Sequence, residues 1–353
     1  MTTPGMTIDG RIVGPEHPPY VIAEISANHL GSYERAEAMV QASATAGVDA
    51  VKLQTFTPDG LTVRSDRPEF QITGGTLWDG ALLIDLYEEA MTPWEWTPRL
   101  QEVAREVGVT LLSSPFDEAA VDFLDGLDVP ALKIASFELL DLPLVRRAAQ
   151  TGRPLLISTG MATINEIDLS IGAARDAGAT EICLLRCNSA YPAAAEEMDL
   201  RAIPVMAERW EVPIGISDHT IGPTTAIAAV ALGASVVEKH VTLRREDGGP
   251  DAAFSCEPAE LASLVDSVHE AWTSLGSARF GPSAREEASL SFRRSVRVVR
   301  PVSAGSRLEV DDVRSIRPAG GLDPDDLARV VGRRVLHDLE VGQPLLWDDL
   351  GDA

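Results

Sequence analysis

Lysine is nearly missing from this chain. Among 353 residues only Lys52, Lys133 and Lys239 carry an ammonium group, and every other cation is arginine. Each of the three sits inside an apolar, strand-like run, which marks places where a compact point charge is needed. Cysteine is just as sparse. Cys183, Cys187 and Cys256 are too few for a disulfide framework and fit a reducing compartment. The four-residue spacing of Cys183 and Cys187 within an apolar run suits buried strand residues better than a metal pair. No apolar run reaches the roughly 18 residues of a membrane span. No basic segment followed by an apolar core opens the sequence, so a cytoplasmic protein without a secretory leader is expected. The net charge of -24 argues against nucleic acid or an anionic membrane as partner, because the field of the whole molecule repels phosphate. An anionic small molecule would therefore need a local cluster of cations.

Hydrophobic residues make up 45% of the chain, enough to bury a sizeable core. From about residue 20 to 275 short β-rich runs alternate with longer helical patterns. The strand-like runs are Val21–Ser26, Ala50–Phe56, Thr110–Phe116, Ala131–Ser136, Pro154–Thr159, Glu181–Cys187, Pro213–His219 and Ser235–Val241. Most are continuously apolar, as parallel strands covered on both faces are. The helical stretches include 35–46, 93–107, 164–177 and 224–232, and Gly47, Gly108, Gly178 and Gly233 stand where a left-handed C-cap places glycine. Eight β-then-α units predict an α/β protein, a (β/α)8 TIM barrel. A doubly wound open sheet is the alternative, disfavoured because no GxGxxG follows the first strand. Asp9-Gly10 between short apolar runs reads as a hairpin over residues 6–16 that would plug the barrel bottom. The pattern divides the chain into a barrel domain (1–276), a polar linker (277–292) and a small module (293–353) with short β runs at Ser295–Val299 and Arg333–Val335.

Active sites of such barrels lie at the C-terminal strand ends, and polar residues collect there. They are Glu24 with Asn28-His29, Lys52 and Gln54 two apart on one face, Ser113-Ser114, Lys133 with Ser136 and Glu138, Ser158-Thr159, Asn188-Ser189 with Tyr191, Ser217-Asp218-His219, and Glu238-Lys239-His240. Asp117 and Asp141 read as helix caps instead. His219 and His240, on neighbouring strand ends, suit a divalent ion with open coordination positions. Two hydrogen-bonded core histidines are the alternative. His17, His269 and His337 read as surface residues. Glu238 reads as facing the helices. Lys52 and Lys133 with serine hydroxyls would form an anion pocket for phosphate or carboxylate; Schiff-base chemistry is the other use for such lysines.

These residues resemble the sialic acid synthase family over nearly the whole chain. The matching stretches are Ile22-Ala23-Glu24, Lys52-Leu53-Gln54, Lys133-Ile134-Ala135-Ser136-Phe137-Glu138, Ser158-Thr159-Gly160-Met161, Ser217-Asp218-His219-Thr220, Glu238-Lys239-His240 and Gly249-Pro250-Asp251. The module after residue 293 resembles the family's antifreeze-like (SAF) domain, with Ile316-Arg317-Pro318 at its usual motif. Ser26-Ala27-Asn28-His29, Gly74-Gly75-Thr76-Leu77-Trp78, Asp85-Leu86-Tyr87, Thr92-Pro93-Trp94-Glu95-Trp96 and Phe254-Ser255 are similar to the pseudaminic acid synthase branch. Arg186 stands where histidine or lysine is common, and Asn188 where threonine is.

The resemblance implies a transferase that condenses phosphoenolpyruvate with 2,4-diacetamido-2,4,6-trideoxy-L-altrose, with Mn2+ or Mg2+ on His219 and His240. It implies a homodimer in which the SAF domain reaches the partner's barrel. Lys52, Ser114, Lys133, Ser136, Ser158, Ser189 and Ser217 would bind phosphoenolpyruvate. Glu24, Gln54, Tyr191 and Asp251 would orient the sugar, Glu138 would handle the proton of water, and Arg317 would recognise an acetamido group. The rivals are the same reaction on N-acetylmannosamine or the legionaminic precursor, a Schiff-base aldolase, and a non-catalytic sugar-binding protein.

Overall fold

The computed structural model describes residues 5–73 and 77–352. Gly74, Gly75 and Thr76 of one branch motif lie outside them. The chain forms two compact units, Met1–Gly276 and Ser277–Ala353.

The first unit opens with a hairpin of β1 (Met6–Ile8) and β2 (Arg11–Val13), turning at Asp9-Gly10. Eight parallel strands follow: β3 (Tyr20–Glu24), β4 (Ala50–Thr55), β5 (Thr110–Pro115), β6 (Leu132–Ile134), β7 (Leu155–Ser158), β8 (Ile182–Cys187), β9 (Ile214–Asp218) and β10 (Val236–His240). They close in chain order, β10 pairing with both β9 and β3. All eight expected strands are present, most shortened by a residue or two. β6 is the shortest, because the chain turns into a 3-10 turn at Ser136–Glu138.

The helices are α1 (Tyr33–Thr45), α2 (Pro58–Leu61), α3 (Leu83–Ala90), α4 (Trp96–Val107), α5 (Glu118–Gly126), α6 (Leu142–Gln150), α7 (Ile164–Asp176), α8 (Ala202–Trp210), α9 (Thr224–Ala231) and α10 (Pro258–Leu275). Their starts are written in the sequence. Asp117 accepts from the Ala120 N–H and Asp141 from the Leu144 N–H, satisfying amides that have no partner within the helix. Thr163 and Glu166 form a capping box on α7. α4 ends on Gly108 at φ 80°, the left-handed cap its glycine predicted.

Side chains alternate along each strand, and this sorts the barrel into two cores. Outward residues pack against the helices in one large cluster. Inward residues of the lower barrel, among them Tyr20, Ile22, Leu112, Leu156 and Cys183, pack on Met6, Ile8 and Val13 of the hairpin. The hairpin therefore plugs the barrel bottom, as the sequence suggested. Gly215 is required in this layer, since a Cβ there would lie 2.6 Å from Val236 Cβ and 2.7 Å from its carbonyl oxygen. The hairpin thus closes the interior below, and a cleft opens at the C-terminal strand ends.

The second unit carries its own small core of Val296, Val298, Leu308, Val313, Val335 and Leu345, with others. Its two-stranded sheet pairs β11 (Ser295–Val298) with β12 (Val313–Ile316). The expected run at Arg333–Val335 makes only isolated bridges, to Arg307 and Leu350. A short helix, α11 (Leu327–Val330), completes it. Among the described residues no helix is long and apolar enough to cross a membrane.

Candidate active site

Above the apolar plug lies a layer that is polar and almost completely buried. Glu24, Lys52, Ser114, Lys133, Ser158, Ser217 and Glu238 are each at most 6% exposed, and all but Ser217, which follows Gly215, stand two positions after an apolar residue of the lower-barrel core. Four charges in so dry a place require pairing. Lys52 pairs with Glu24 and donates to Ser114 Oγ at 3.0 Å. Lys133 lies 3.2 Å from Glu238 Oε1, which also accepts from Ser217 Oγ at 3.0 Å. Lys52 reaches the other Glu238 oxygen at 3.8 Å.

Glu238 is thus a central member of the site, which corrects its expected place against the helices. Its neighbour Lys239 faces outward instead, to Asp218 at 2.8 Å and the Gly222 carbonyl at 3.2 Å. Burial pushes the Glu238 carboxyl up, but the Lys133 and Lys52 ammonium groups outweigh it and hold the group well below the ordinary carboxylate range. Glu24 is raised by burial, against the pull of Lys52. Lys133 is raised: burial works against its charge, and Glu238 prevails.

A cleft of about 700 Å³ opens over this layer. Its lining includes Glu24, Lys52, Gln54, Ser114, Lys133, Ser136, Glu138, Ser189, Tyr191, Ser217, His219, His240 and Asp251. Ser158 sits just below, its hydroxyl buried and without a hydrogen-bond partner. Ser136 and Ser189 hydrogen-bond to each other at 2.8 Å. Glu138 has one unpartnered buried oxygen and is pushed up to about 7, by burial foremost, with Lys133 opposing.

The two imidazoles meet at a centroid distance of 5.3 Å. His219 Nδ1 lies 2.8 Å from the Asn188 carbonyl oxygen. A carbonyl only accepts, so Nδ1 carries the proton and Nε2 keeps a free lone pair. His240 Nδ1 is buried without a hydrogen-bond partner, 3.7 Å from Asp251. Burial drives His219 down to about 4 and His240 well below its ordinary value. Two neutral, under-satisfied imidazoles fit a divalent ion. Among the described residues no group of three His, Cys, Asp or Glu side chains gathers in ligating geometry, so water and substrate oxygens would complete the shell.

Ser26 joins the site unforeseen. It donates to Asp251 and accepts from Gln54 at 2.9 Å, so it links β3, β4 and the segment after β10. Phe254 stacks edge-on to His240 at 5.0 Å, and Tyr191 lies 4.3 Å from His219. The strand-end residues Asn28 and His29 do not reach the cleft. Asn28 donates to the Val241 carbonyl at 2.7 Å and to Ser255; His29 lies against Thr92 and Trp96. Arg186 also points away, donating to the Met198 carbonyl at 2.9 Å. The Asn188 side chain turns to the Glu197 carbonyl, and only its backbone oxygen serves His219. Arg317 belongs to the second unit, where its side chain is exposed.

Comparison with known proteins gives the family. The NeuB family model matches residues 39–280 and the SAF domain model residues 293–351. A pseudaminic acid synthase of Campylobacter jejuni is 38% identical, over 94% of this chain and 96% of that one. An N,N'-diacetyllegionaminic acid synthase of Legionella pneumophila is 34% identical, over 94% of each. The crystal structure of an N-acetylneuraminic acid synthetase from Leptospira borgpetersenii, in complex with citrate, superposes with a TM-score of 0.73 at 28% identity, covering 82% of this chain and 96% of that one. With a buried lysine–carboxylate layer beneath two imidazoles, and a family match across most of the barrel, this chain belongs to the NeuB family and carries a SAF domain.

Proposed function

We propose that the protein condenses phosphoenolpyruvate with a 2,4-diacetamido-2,4,6-trideoxy hexose, the L-altrose form, and water, giving pseudaminic acid and phosphate. The carrying observation is that both cleft lysines are paired with buried carboxylates. Schiff-base chemistry needs a lysine that gives up its proton, and an adjacent anion opposes that. Paired ammonium groups are suited instead to holding an anion in place.

In this reading Lys52, Lys133, Ser114, Ser136, Ser158, Ser189 and Ser217 hold phosphoenolpyruvate. The unpartnered Ser158 hydroxyl is free to donate to it. Glu24, Gln54, Tyr191 and Asp251 orient the sugar beside the imidazoles. His219 and His240 would hold a divalent ion, Mn2+ or Mg2+, which when bound would supply Lewis-acid polarisation of the aldehyde. Phosphoenolpyruvate C3 bonds to the aldehyde carbon, water adds at C2, and phosphate leaves with cleavage of the C–O bond. Glu138, poised near neutrality, takes the proton of that water. Holding both reactants in register provides much of the acceleration. The resemblance further supports a homodimer in which Arg317 serves the partner's barrel. Mixing Arg317→Ala and Lys133→Ala chains should then restore part of the activity.

The test is phosphate release from phosphoenolpyruvate across the L-altrose sugar, its legionaminic counterpart and N-acetylmannosamine. Release with the first sugar alone is expected. Release with either of the others as the preferred substrate would reassign the sugar. Borohydride trapping of a lysine with pyruvate, without phosphate release, would overturn the reading.

A further inference from the structure

The cleft has two chemically different sides. The floor is the charged layer already described. The outer wall comes from one long connection, residues 56–95, between β4 and α4. That connection brings Leu61, Ile72, Leu77, Trp78, Leu86 and Tyr87 to the cleft. No carboxylate or cation of the connection is among the described lining residues. The polar side-chain groups of these residues are the Tyr87 hydroxyl and the Trp78 indole N–H, and the latter already donates to the Pro250 carbonyl at 3.1 Å.

That hydrogen bond fixes Trp78 across the mouth. The two ends of the segment bearing it are held together. Gln71 bridges to Leu82, and the Ile72 N–H donates to the Ala81 carbonyl at 2.9 Å. The Trp78 ring lies tilted on Tyr191 at 5.8 Å, and Tyr191 in turn lies 4.3 Å from His219. A sugar whose aldehyde sits at the imidazoles and whose other reactant lies over Lys133 would carry the far end of its carbon chain past Tyr191 toward this wall.

An apolar wall gains from burying a methyl group and leaves a buried hydroxyl without a partner. We propose that Trp78 and Leu77 are specificity-determining residues that select a sugar with a deoxygenated C6 over the same sugar with a C6 hydroxyl. The inference rests on the reading of the site as an amino-sugar condensing centre, and assigns one part of the selection to one loop.

The test uses the full-length protein and two acceptors that differ only at C6: a 2,4-diacetamido-2,4,6-trideoxy hexose and its 6-hydroxy counterpart. kcat/KM is measured for each with saturating phosphoenolpyruvate. The native protein should favour the deoxy sugar by about 10- to 100-fold, the range one such group commands in an apolar site. Trp78→Ala and Leu77→Ser should each cut this ratio several-fold, and the double variant should bring it near one. Leu77 is 52% exposed, so its replacement spares the core even if Trp78→Ala disturbs the loop. A merely structural role would lower both kcat/KM values together and leave their ratio intact. An unchanged ratio in both single variants, or a native protein indifferent to C6, overturns the inference. Absence of phosphate release with every amino sugar would instead overturn the underlying reading.

Discussion

Glu238 on β10 and Lys133 on β6 face each other across the barrel interior, carboxylate oxygen to ammonium at 3.2 Å. Both are almost fully buried, so removing Glu238 leaves Lys133 without the carboxylate it pairs with. Glu238→Gln should destabilise the fold by about 3–5 kcal/mol, the range for breaking a buried pair, as measured by urea denaturation at pH 7. The pH dependence follows from the sign of the shift. The folded carboxyl sits at about 2 against an ordinary 4.5. Its contribution is therefore complete above about pH 4.5 and is lost as pH falls toward 2. The native protein should lose more stability over that interval than the glutamine variant. Parallel curves would mean that Glu238 carries no such charge.

Glu138 makes the opposite prediction. Its folded carboxyl is raised to about 7, so its contribution is present below pH 4.5 and is lost as pH rises through 7. Glu138→Gln removes that loss. The variant should gain stability relative to the native protein between pH 5 and 8, followed by thermal unfolding. If Glu138 also takes the proton of the attacking water, the native kcat profile should show a limb near pH 7 that the variant lacks. A retained limb would assign the proton to another group.

His219→Ala and His240→Ala test the imidazole pair directly. Both side chains are almost fully buried but stand at the strand ends above the apolar layers, so each variant should stay folded at a cost of about 1–3 kcal/mol. Each should lose Mn2+ binding in a calorimetric titration, and turnover with it. Exhaustive chelation should silence the native protein, and Mn2+ or Mg2+ should restore it. Full turnover after chelation would remove the metal from the proposal.

What was legible in the sequence divides along physical lines. Strand count, helix caps and the bottom hairpin were legible because each rests on local chemistry: apolar runs, Asp117 and Asp141 at helix starts, Asp9-Gly10 at a turn. Strand-end residues such as Lys52, Lys133 and His219 were legible because barrel topology tells where strand ends go. Glu238 is legible by the period of two, against its expected place on the helices: it stands two before His240 and therefore shares its face. Ser26 is not legible as a site residue, because its partners Gln54 and Asp251 lie 28 and 225 residues away and no local pattern announces such a link. Asn28 and His29 follow the end of β3 in sequence but do not share its place at the cleft. The chain turns at Ser26, whose φ is 48°, and this carries both side chains out of the cleft to buried partners.

Gly160 carries the last prediction. It follows Thr159 in the loop between β7 and α7, and nothing about its backbone demands glycine. Its neighbours do. A Cβ there would lie 2.5 Å from Ser136 Cβ and 2.5 Å from Ser189 Oγ, closer than a methyl carbon can approach either atom. Ser136 and Ser189 are the pair that hydrogen-bond at 2.8 Å beside Lys133, on the side of the cleft assigned to phosphoenolpyruvate. Gly160→Ala should push them apart and raise the KM for phosphoenolpyruvate by about 10-fold or more, since misplacing binding groups by about an ångström is that costly. The loop is at the rim, so the melting temperature should fall by only a few degrees. Adding Ser189→Gly to Gly160→Ala removes one of the two clashing atoms. That double variant should recover part of the affinity that Gly160→Ala loses, even though Ser189→Gly alone weakens binding. Recovery by a change that is harmful by itself is the signature of a steric origin. If the two losses simply add, or if Gly160→Ala binds phosphoenolpyruvate as the native protein does, the loop does not set the serine pair.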